Sequence, residues 1–250
     1  MTTTHCFRVV SYNTHKSIGV DRKISPARIV EVLREIDADI IGLQEVLSIP
    51  DASAEEDQAR YFASQLGYHY CLGETRKLRG GIYGNVILTR VPVHSSKNYD
   101  ISVSWRRERR GCLRADLQFQ PSRFLHIFNV HLGTDYFERR RQAKSLVHKA
   151  ILHNEELNGT RIVMGDFNEW THGLASRMLG KHFVRADTHN GARRIRTFPG
   201  FLPLLALDNI YFDAALKLER FAVYKSRLAL VASDHLPVVA DLEFHAPPVI

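Results

Sequence analysis

The chain has 250 residues, 44% hydrophobic and 24% charged, the composition of a globular protein with ample material for a core. No apolar stretch is long enough to span a bilayer and Met1 to Cys6 is polar, so the sequence reads as leaderless, soluble and cytoplasmic. Cys6, Cys71 and Cys112 are odd in number and far apart, which excludes a disulfide framework and a CxxC metal site, while the net charge of +7 favours anionic partners.

Phe7 to Asn13 reads as a strand that ends in a polar loop, Thr14 to Lys23. Ser25-Pro26 offers an N-cap and a first-turn proline, and Ile29, Val30, Leu33 and Ile36 follow at helical spacing. A second apolar run, Ile40 to Leu43, ends in Gln44-Glu45. The opening is therefore strand, helix, strand, with Asn13 and Glu45 at two strand ends. Residues 50–60 are acidic and loop-like, and Gln58 to Leu66 predicts a short helix closed by Gly67. His69 to Leu72 and Asn85 to Thr89 read as strands flanking turns at Gly80-Gly81 and Gly84. Trp105 to Arg114 carries five arginines and one glutamate, either a solvated face or a contact for phosphate or an anionic surface. It leads into an alternating strand, Leu113 to Leu117.

The second half repeats the plan. Leu125 to His131 is a strand whose polar end carries Asn129 and His131, and a helix is predicted through Tyr136 to Leu157, with Arg139-Arg140-Arg141 near its start and Asn158-Gly159 as its stop. The run Ile162-Val163-Met164 then stops at Gly165 and presents Asp166 and Asn168. Residues i and i+2 of an extended chain face one side, so this carboxylate and amide share one space. Gly-Asp-x-Asn is also ordinary turn chemistry, and taken alone the turn is the simpler account. Past residue 180 the chain is loop-rich and basic (Arg185, Arg193, Arg194, Arg196). Ala206 to Phe212 is another strand with an acid, Asp208, near its head, and Pro237 to Leu242 is the last, preceded by Ser233-Asp234-His235. No linker divides the halves, so residues 1–250 read as one domain. Two strand–helix–strand units, each ending in an acid, suggest two sheets packed face to face with polar strand ends at one rim.

The stretches Ser11-Tyr12-Asn13, Leu43-Gln44-Glu45-Val46, Gly84-Asn85-Val86-Ile87-Leu88, Asn129-Val130-His131-Leu132, Gly165-Asp166-Phe167-Asn168, Leu207-Asp208-Asn209-Ile210 and Ser233-Asp234-His235-Leu236-Pro237 together resemble the endonuclease/exonuclease/phosphatase family, the fold of pancreatic-type deoxyribonuclease and exonuclease III. Each tripeptide is weak alone; all of them in family order, from residue 11 to 237, are specific. The resemblance implies an α/β fold, a four-layer α/β sandwich of two packed mixed sheets flanked by helices. It also implies a phosphoester hydrolase dependent on Mg²⁺ or Mn²⁺.

A phosphodiester needs its non-bridging charge neutralised, an in-line nucleophile and help for the leaving oxygen. Glu45 is a hard oxygen ligand suited to the metal, with Asn13 beside it. Asp166 and Asn168 would orient and activate the attacking water, or Asp166 would share the metal. His235 is the candidate acid/base or phosphate contact, with Asp234 by resemblance its acidic partner or a further metal ligand. His131 is a second imidazole aimed at the phosphate, Asp208 polarises a histidine or helps the leaving group, and Asn85 donates to a phosphate oxygen. His15, His126, His148, His153, His172, His182, His189, Glu74 and Glu169 sit in no matching motif and receive no role. Trp105, Phe198 and Phe201 are candidates either for a pocket wall or for packing.

The expected activity is hydrolysis of a phosphodiester by direct attack of water, in a monomer acting on an anionic phosphoester. Arginine clusters suit a nucleic-acid backbone; a short chain and the loop Phe198 to Pro203 suit a lipid headgroup or metabolite. A non-catalytic binding module on the same fold would need a broken site, and no core motif is missing.

Overall fold

The computed structural model describes residues 6–53, 55–120, 123–148, 150–170, 173–188 and 195–245. His172, His189, Arg193 and Arg194, named above, lie outside the described residues.

The first unit is β1 (Cys6–Asn13), α1 (Pro26–Ile36) and β2 (Ile40–Ser48), followed by α2 (Gln58–Leu66), β3 (His69–Leu78) and β4 (Gly81–Thr89). The helix α1 starts at the expected proline and buries Ile29, Val30, Leu33 and Ile36, the face its spacing predicted; the Ser25 side chain makes no capping hydrogen bond. Gly67 closes α2 with φ +70, a conformation a glycine adopts without strain. Gly84 is not a turn but lies inside β4, where a Cβ would fall 1.9 Å from the Gly73 carbonyl oxygen of the neighbouring strand. There the glycine serves close backbone approach.

The second unit is β5 (Val93–Asp100), β6 (Gly111–Gln120), β7 (Arg123–His131), α3 (Tyr136–Leu146) and β8 (Thr160–Asp166). The helix predicted through Leu157 stops eleven residues early, at Leu146. Leu146 is buried at the end of α3, and Ile151 and Leu152 are buried through the turns after it rather than along one continued helical face. The chain then runs through α4 (Leu174–Leu179), β9 (Val184–Arg185), β10 (Asp208–Phe212), β11 (Leu216–Val223), α5 (Ala229–Ala232) and β12 (Val238–Phe244).

Two six-stranded mixed sheets result, in the orders β11-β12-β1-β2-β4-β3 and β5-β6-β7-β8-β10-β9. The alternation of strand side chains decides which core each residue joins. Val9 enters a central core between the sheets with Ile40, Ile87, Leu113, Ile127, Ile162, Met164 and Ile210. Its neighbour Val10 faces outward into a second core under α1, α2 and α5, and Phe128, Val130 and Val163 do the same beneath α3 and α4. Helix, sheet, sheet, helix makes the four layers. Cys112 is buried and Cys71 half-buried, whereas Cys6, the first residue of β1, is exposed.

Candidate active site

Strand direction gathers the polar residues. β1 runs parallel to β2 with Asn13 opposite Gln44, and β7 runs parallel to β8 with His131 opposite Asp166. β10 returns antiparallel, so its first residue, Asp208, lies opposite Asp166. The carboxyl ends of the central strands of both sheets thus share one rim. A buried amide network ties the sheets there: Gln44 Nε2 donates to Asn129 Oδ1 (2.7 Å), and Asn129 Nδ2 donates to the carbonyls of Leu43 and Val86 (2.8 Å each). Asn13 Nδ2 crosses the same gap, donating to Glu45 Oε1 at 3.2 Å and Asp166 Oδ2 at 3.1 Å.

Local strain aims these side chains. The β2–β4 ladder skips from Leu43 to Val46, a bulge in which Glu45 takes φ +57. Asn168 adopts φ +50, and His15, Lys16 and Ser17 form a left-handed turn directly after Asn13. Such conformations cost about 1–3 kcal/mol each and persist where surrounding contacts hold them. Gly165 is required for a second reason, since its φ is +151 and a Cβ would meet the Val130 carbonyl oxygen at 1.9 Å.

Three buried groups converge on Asp166. Its Oδ2 lies 3.6 Å from His131 Nε2 and 3.7 Å from His235 Nε2, while its Oδ1 accepts the Asn168 backbone N–H at 2.8 Å. Burial raises its pKa, with the nearby Asp208 charge in the same direction and the two histidines opposing. The histidines themselves diverge. Burial and the Arg110 charge push His131 down to about 4, against the pull of Asp166 and Glu45, so it is neutral near pH 7. Burial also opposes charge on His235, but Asp208, whose Oδ2 is 2.9 Å from His235 Nδ1, and Asp166 outweigh it and raise the imidazole to about 10. One neutral and one protonated imidazole therefore flank one carboxylate.

Against this geometry, the model of the Endonuclease/Exonuclease/phosphatase family matches residues 10–235. The chain belongs to the endonuclease/exonuclease/phosphatase family. The protein YbhP of Escherichia coli K12 is 30% identical, over 94% of this chain and 96% of its own length. Among solved structures, a family protein from Bacteroides vulgatus superposes with TM-score 0.78 at 19% identity, over 96% of this chain and all of its own. A mannosyl-6-phosphatase from Bacteroides thetaiotaomicron gives TM-score 0.76 at 19% identity, over 95% of this chain and all of its own. These structural likenesses show the fold; the family is one of phosphoester hydrolases.

The remaining residues expected from the family pattern are placed as follows. Asn168 Nδ2 donates to the Leu132 carbonyl (2.9 Å), and Asn85 Nδ2 donates to the carbonyls of Gly111 (3.0 Å) and Asn129 (3.3 Å). Both amide groups thus spend donors on backbone in this state. The acidic partner of His235 is Asp208, not Asp234, whose Oδ1 instead lies 3.6 Å from His15 Nδ1. His15, given no role, therefore stands at the edge of the site. Phe198 packs its ring 5.0 Å from His235, whereas Trp105 and Phe201 are largely exposed. The unassigned His126 is buried against Asp116 (2.7 Å), His153 packs on His182, Glu169 accepts the N–H groups of Ala175 and Ser176 at the start of α4, and Glu74 pairs with Lys77.

Three contributors had little sequence signal. Lys16 Nζ donates to Glu45 Oε2 at 2.8 Å, Tyr83 is buried beside Glu45, and Arg110 acts on His131. An isolated lysine three residues past a motif asparagine is the only hint the sequence offers of the first. Burial raises Glu45, but the charges of His131 and Lys16 and the hydrogen bonds of Lys16 and Asn13 hold it well below the usual carboxylate range. Since His131 is neutral near pH 7, Lys16 and Asn13 carry most of that effect there.

Two groups of side chains offer hard ligands to a cation. Asp166, Asp208 and His235 have ligand atoms within 4.8 Å of one another, but the His235 ring carries a proton and spends Nδ1 on Asp208, which disfavours a cation among the three. Asp208 Oδ1 is nonetheless buried with no hydrogen-bond partner among the described residues. The Glu45 side fits better: its carboxylate is ionised with the Asn13 side chain beside it, and a cation would compete with the Lys16 ammonium for its Oε2.

Proposed function

We propose that residues 1–250 form one catalytic domain, a cytoplasmic monomer that hydrolyses a phosphodiester by direct attack of an activated water, with Mg²⁺ or Mn²⁺ as cofactor. The observation that carries this is the Asp166 carboxylate set between a neutral His131 and a protonated His235. Asp166, raised by burial and oriented by the Asn168 N–H and the Asn13 amide, takes the proton of the attacking water. His235 directs Nε2–H at the phosphoryl group and supplies a proton to the leaving oxygen, with Asp208 fixing its ring and charge. His131 hydrogen-bonds a non-bridging oxygen as a neutral donor, and Asn85 and Asn168 would reach the phosphate by releasing their backbone carbonyls. Glu45, with Asn13 and Asp234 nearby in the motif set, would hold the divalent cation, which when bound neutralises phosphate charge. Lys16 keeps Glu45 ionised.

A nuclease is the alternative, and the arginine run is its main support. Arg107, Arg109, Arg110 and Arg114 are engaged with Asp135 and Glu138, Asp100, Glu108 and Asp116 respectively. Cations spent on internal acids neutralise few backbone phosphates, which favours a lipid or small-molecule diester. A panel of oligonucleotides, phospholipids and small mono- and diesters, assayed with Mn²⁺ at two salt concentrations, tests this. Turnover of a small or lipid diester with shallow salt dependence is expected; preference for oligonucleotides that falls steeply with salt would select the nuclease, and no turnover of any ester by folded protein would refute both.

A further inference from the structure

Eight large hydrophobic side chains among the described residues are more than half exposed, and all eight sit at the catalytic end of the sheets. Trp105 (85% exposed) is on the 101–110 connection entering β6, and Phe137 (68%) is on the first turn of α3 after His131. Trp170 (61%) follows Asn168, and Phe201, Leu202 and Leu204 lie on the segment that leads into Asp208. The other two obey the same rule: Tyr136 meets the Phe137 ring edge-on, and Ile24 is on the loop after Asn13. The connections at the opposite end carry none among the described residues. Chance would divide exposed apolar side chains between both ends, and in a monomer such a concentration marks an interaction surface.

Register fixes the placement. Cys112 pairs with Val130 and Asp208 with Asp166, so the entries to β6 and β10 and the exits of β7 and β8 share the rim that holds the site. The 195–207 segment is bonded onto that site: the Gly200 N–H donates to the Asp234 carbonyl (2.6 Å) and the Leu236 N–H to that of Thr197 (2.9 Å). Beside it lies a cleft of about 770 Å³ whose walls include Trp170, Pro203, Leu204 and Phe221, and among the described residues its charged lining is Arg196 and Lys225, with no acid.

We propose that this rim docks the enzyme on an anionic phospholipid bilayer and that its substrates are phospholipid phosphodiesters presented there; the substrate assignment rests on the phosphodiesterase proposed above. Aromatic and leucine side chains interleaved with arginine are the composition that settles into a headgroup interface. With Arg107, Arg109 and Arg110 paired to acids, the positive charge offered here is that of Arg106 over the Trp105 ring, Arg139-Arg140-Arg141 in the first half of α3, and Arg196 and Lys225 of the cleft, in a chain of net charge +7. Asp51, Glu55, Glu56 and Asp57 fall in the connection between β2 and α2, on the other sheet, while Asp100, Asp135 and Glu138 on this side are paired with arginines. The aliphatic share, Leu202 and Leu204 beside Phe201, matches acyl chains and glycerol better than stacked bases.

The test is sedimentation of the full chain with vesicles of phosphatidylcholine containing one quarter phosphatidylglycerol, in chelator, so that docking is read without catalysis. Wild type should pellet with these vesicles and far less with pure phosphatidylcholine. The double variants F201S/L202S and W105S/F137S, checked for folding by circular dichroism, should each lose at least tenfold in partitioning. Wild type that stays in the supernatant, or two folded variants that both pellet like wild type, would overturn the proposal. So would exclusive retention of a single-stranded oligonucleotide by the same rim. Turnover of a soluble diester, measured separately, reports on the phosphodiesterase itself, so either can fail alone.

Discussion

Asp208→Asn removes one charge from the site and almost no volume. In the wild type the buried pair with Asp208 raises His235 to about 10, so the ring is protonated throughout the neutral range. Without that carboxylate, burial is opposed only by Asp166 and Asp234, and the imidazole should fall back toward its ordinary value of about 6.5. At pH 8 the protonated fraction then falls from near one to roughly 3%, a thirtyfold loss before any loss of ring orientation. Poorer orientation adds about another decade, so kcat should fall by two to three decades with KM little changed. The assay is kcat for a soluble phosphodiester from pH 6 to 10: the alkaline limb should lie near 10 in the wild type and below 7 in the variant. Stability follows the same linkage. Because the folded pKa is above the unfolded one, this pair stabilises fully below about 6.5 and its contribution is lost as pH rises through about 10. A variant within threefold of wild type at pH 8, or with an unmoved alkaline limb, would refute the assignment of His235 as the protonated group.

Other consequences are as specific. Gly165→Ala drives a Cβ to 1.9 Å from the Val130 carbonyl oxygen at φ +151, and should cost about 3 kcal/mol or more, lowering the melting temperature by roughly 6–12 °C. A melt within 2 °C of wild type would contradict that. Asn129→Ala removes the shortest hydrogen bond of Gln44 Nε2, which keeps Ser11 Oγ and the Gly42 carbonyl, and the side-chain donor to the carbonyls of Leu43 and Val86, for a loss of about 3 kcal/mol in urea unfolding; a loss under 1 kcal/mol would show that water replaces the amide. Lys16→Met frees Glu45 from its ammonium and should tighten Mn²⁺ binding by about three- to tenfold in isothermal titration, whereas weaker binding would mean that Lys16 assists the cation.

Much of this was legible in the sequence because apolar runs ended on functional polar residues. Asn13, His131, Asp166 and Asp208 each stand at a strand end, whereas Glu45, expected at one, sits in a bulge inside β2; the parallel pairing of β1 with β2 and of β7 with β8 brings them together. What escaped had no local signature. β5 (VHSSKNYD) lies mostly exposed at a sheet edge, so it lacks the alternation that marks a half-buried strand. The helix after His131 was overextended because Leu146, Val147, Ala150 and Ile151 keep helical spacing, although Ile151 is buried from within a turn. The Lys16–Glu45 and His235–Asp208 pairs join residues 29 and 27 positions apart, and the second depends on β10 reversing direction beside β8. Asp234, adjacent in sequence to His235, was the natural partner by proximity; the fold turns it toward His15 instead.

The most direct measurement is the initial rate of bis-p-nitrophenyl phosphate hydrolysis by metal-stripped protein titrated with Mn²⁺, beside Asp166→Ala. Hydrolysis that begins only with the metal, and is at least two decades lower in the variant at saturating Mn²⁺, is the predicted result. Equal rates with and without chelator, or a folded variant within threefold of wild type, would contradict a metal-dependent phosphodiesterase centred on Asp166.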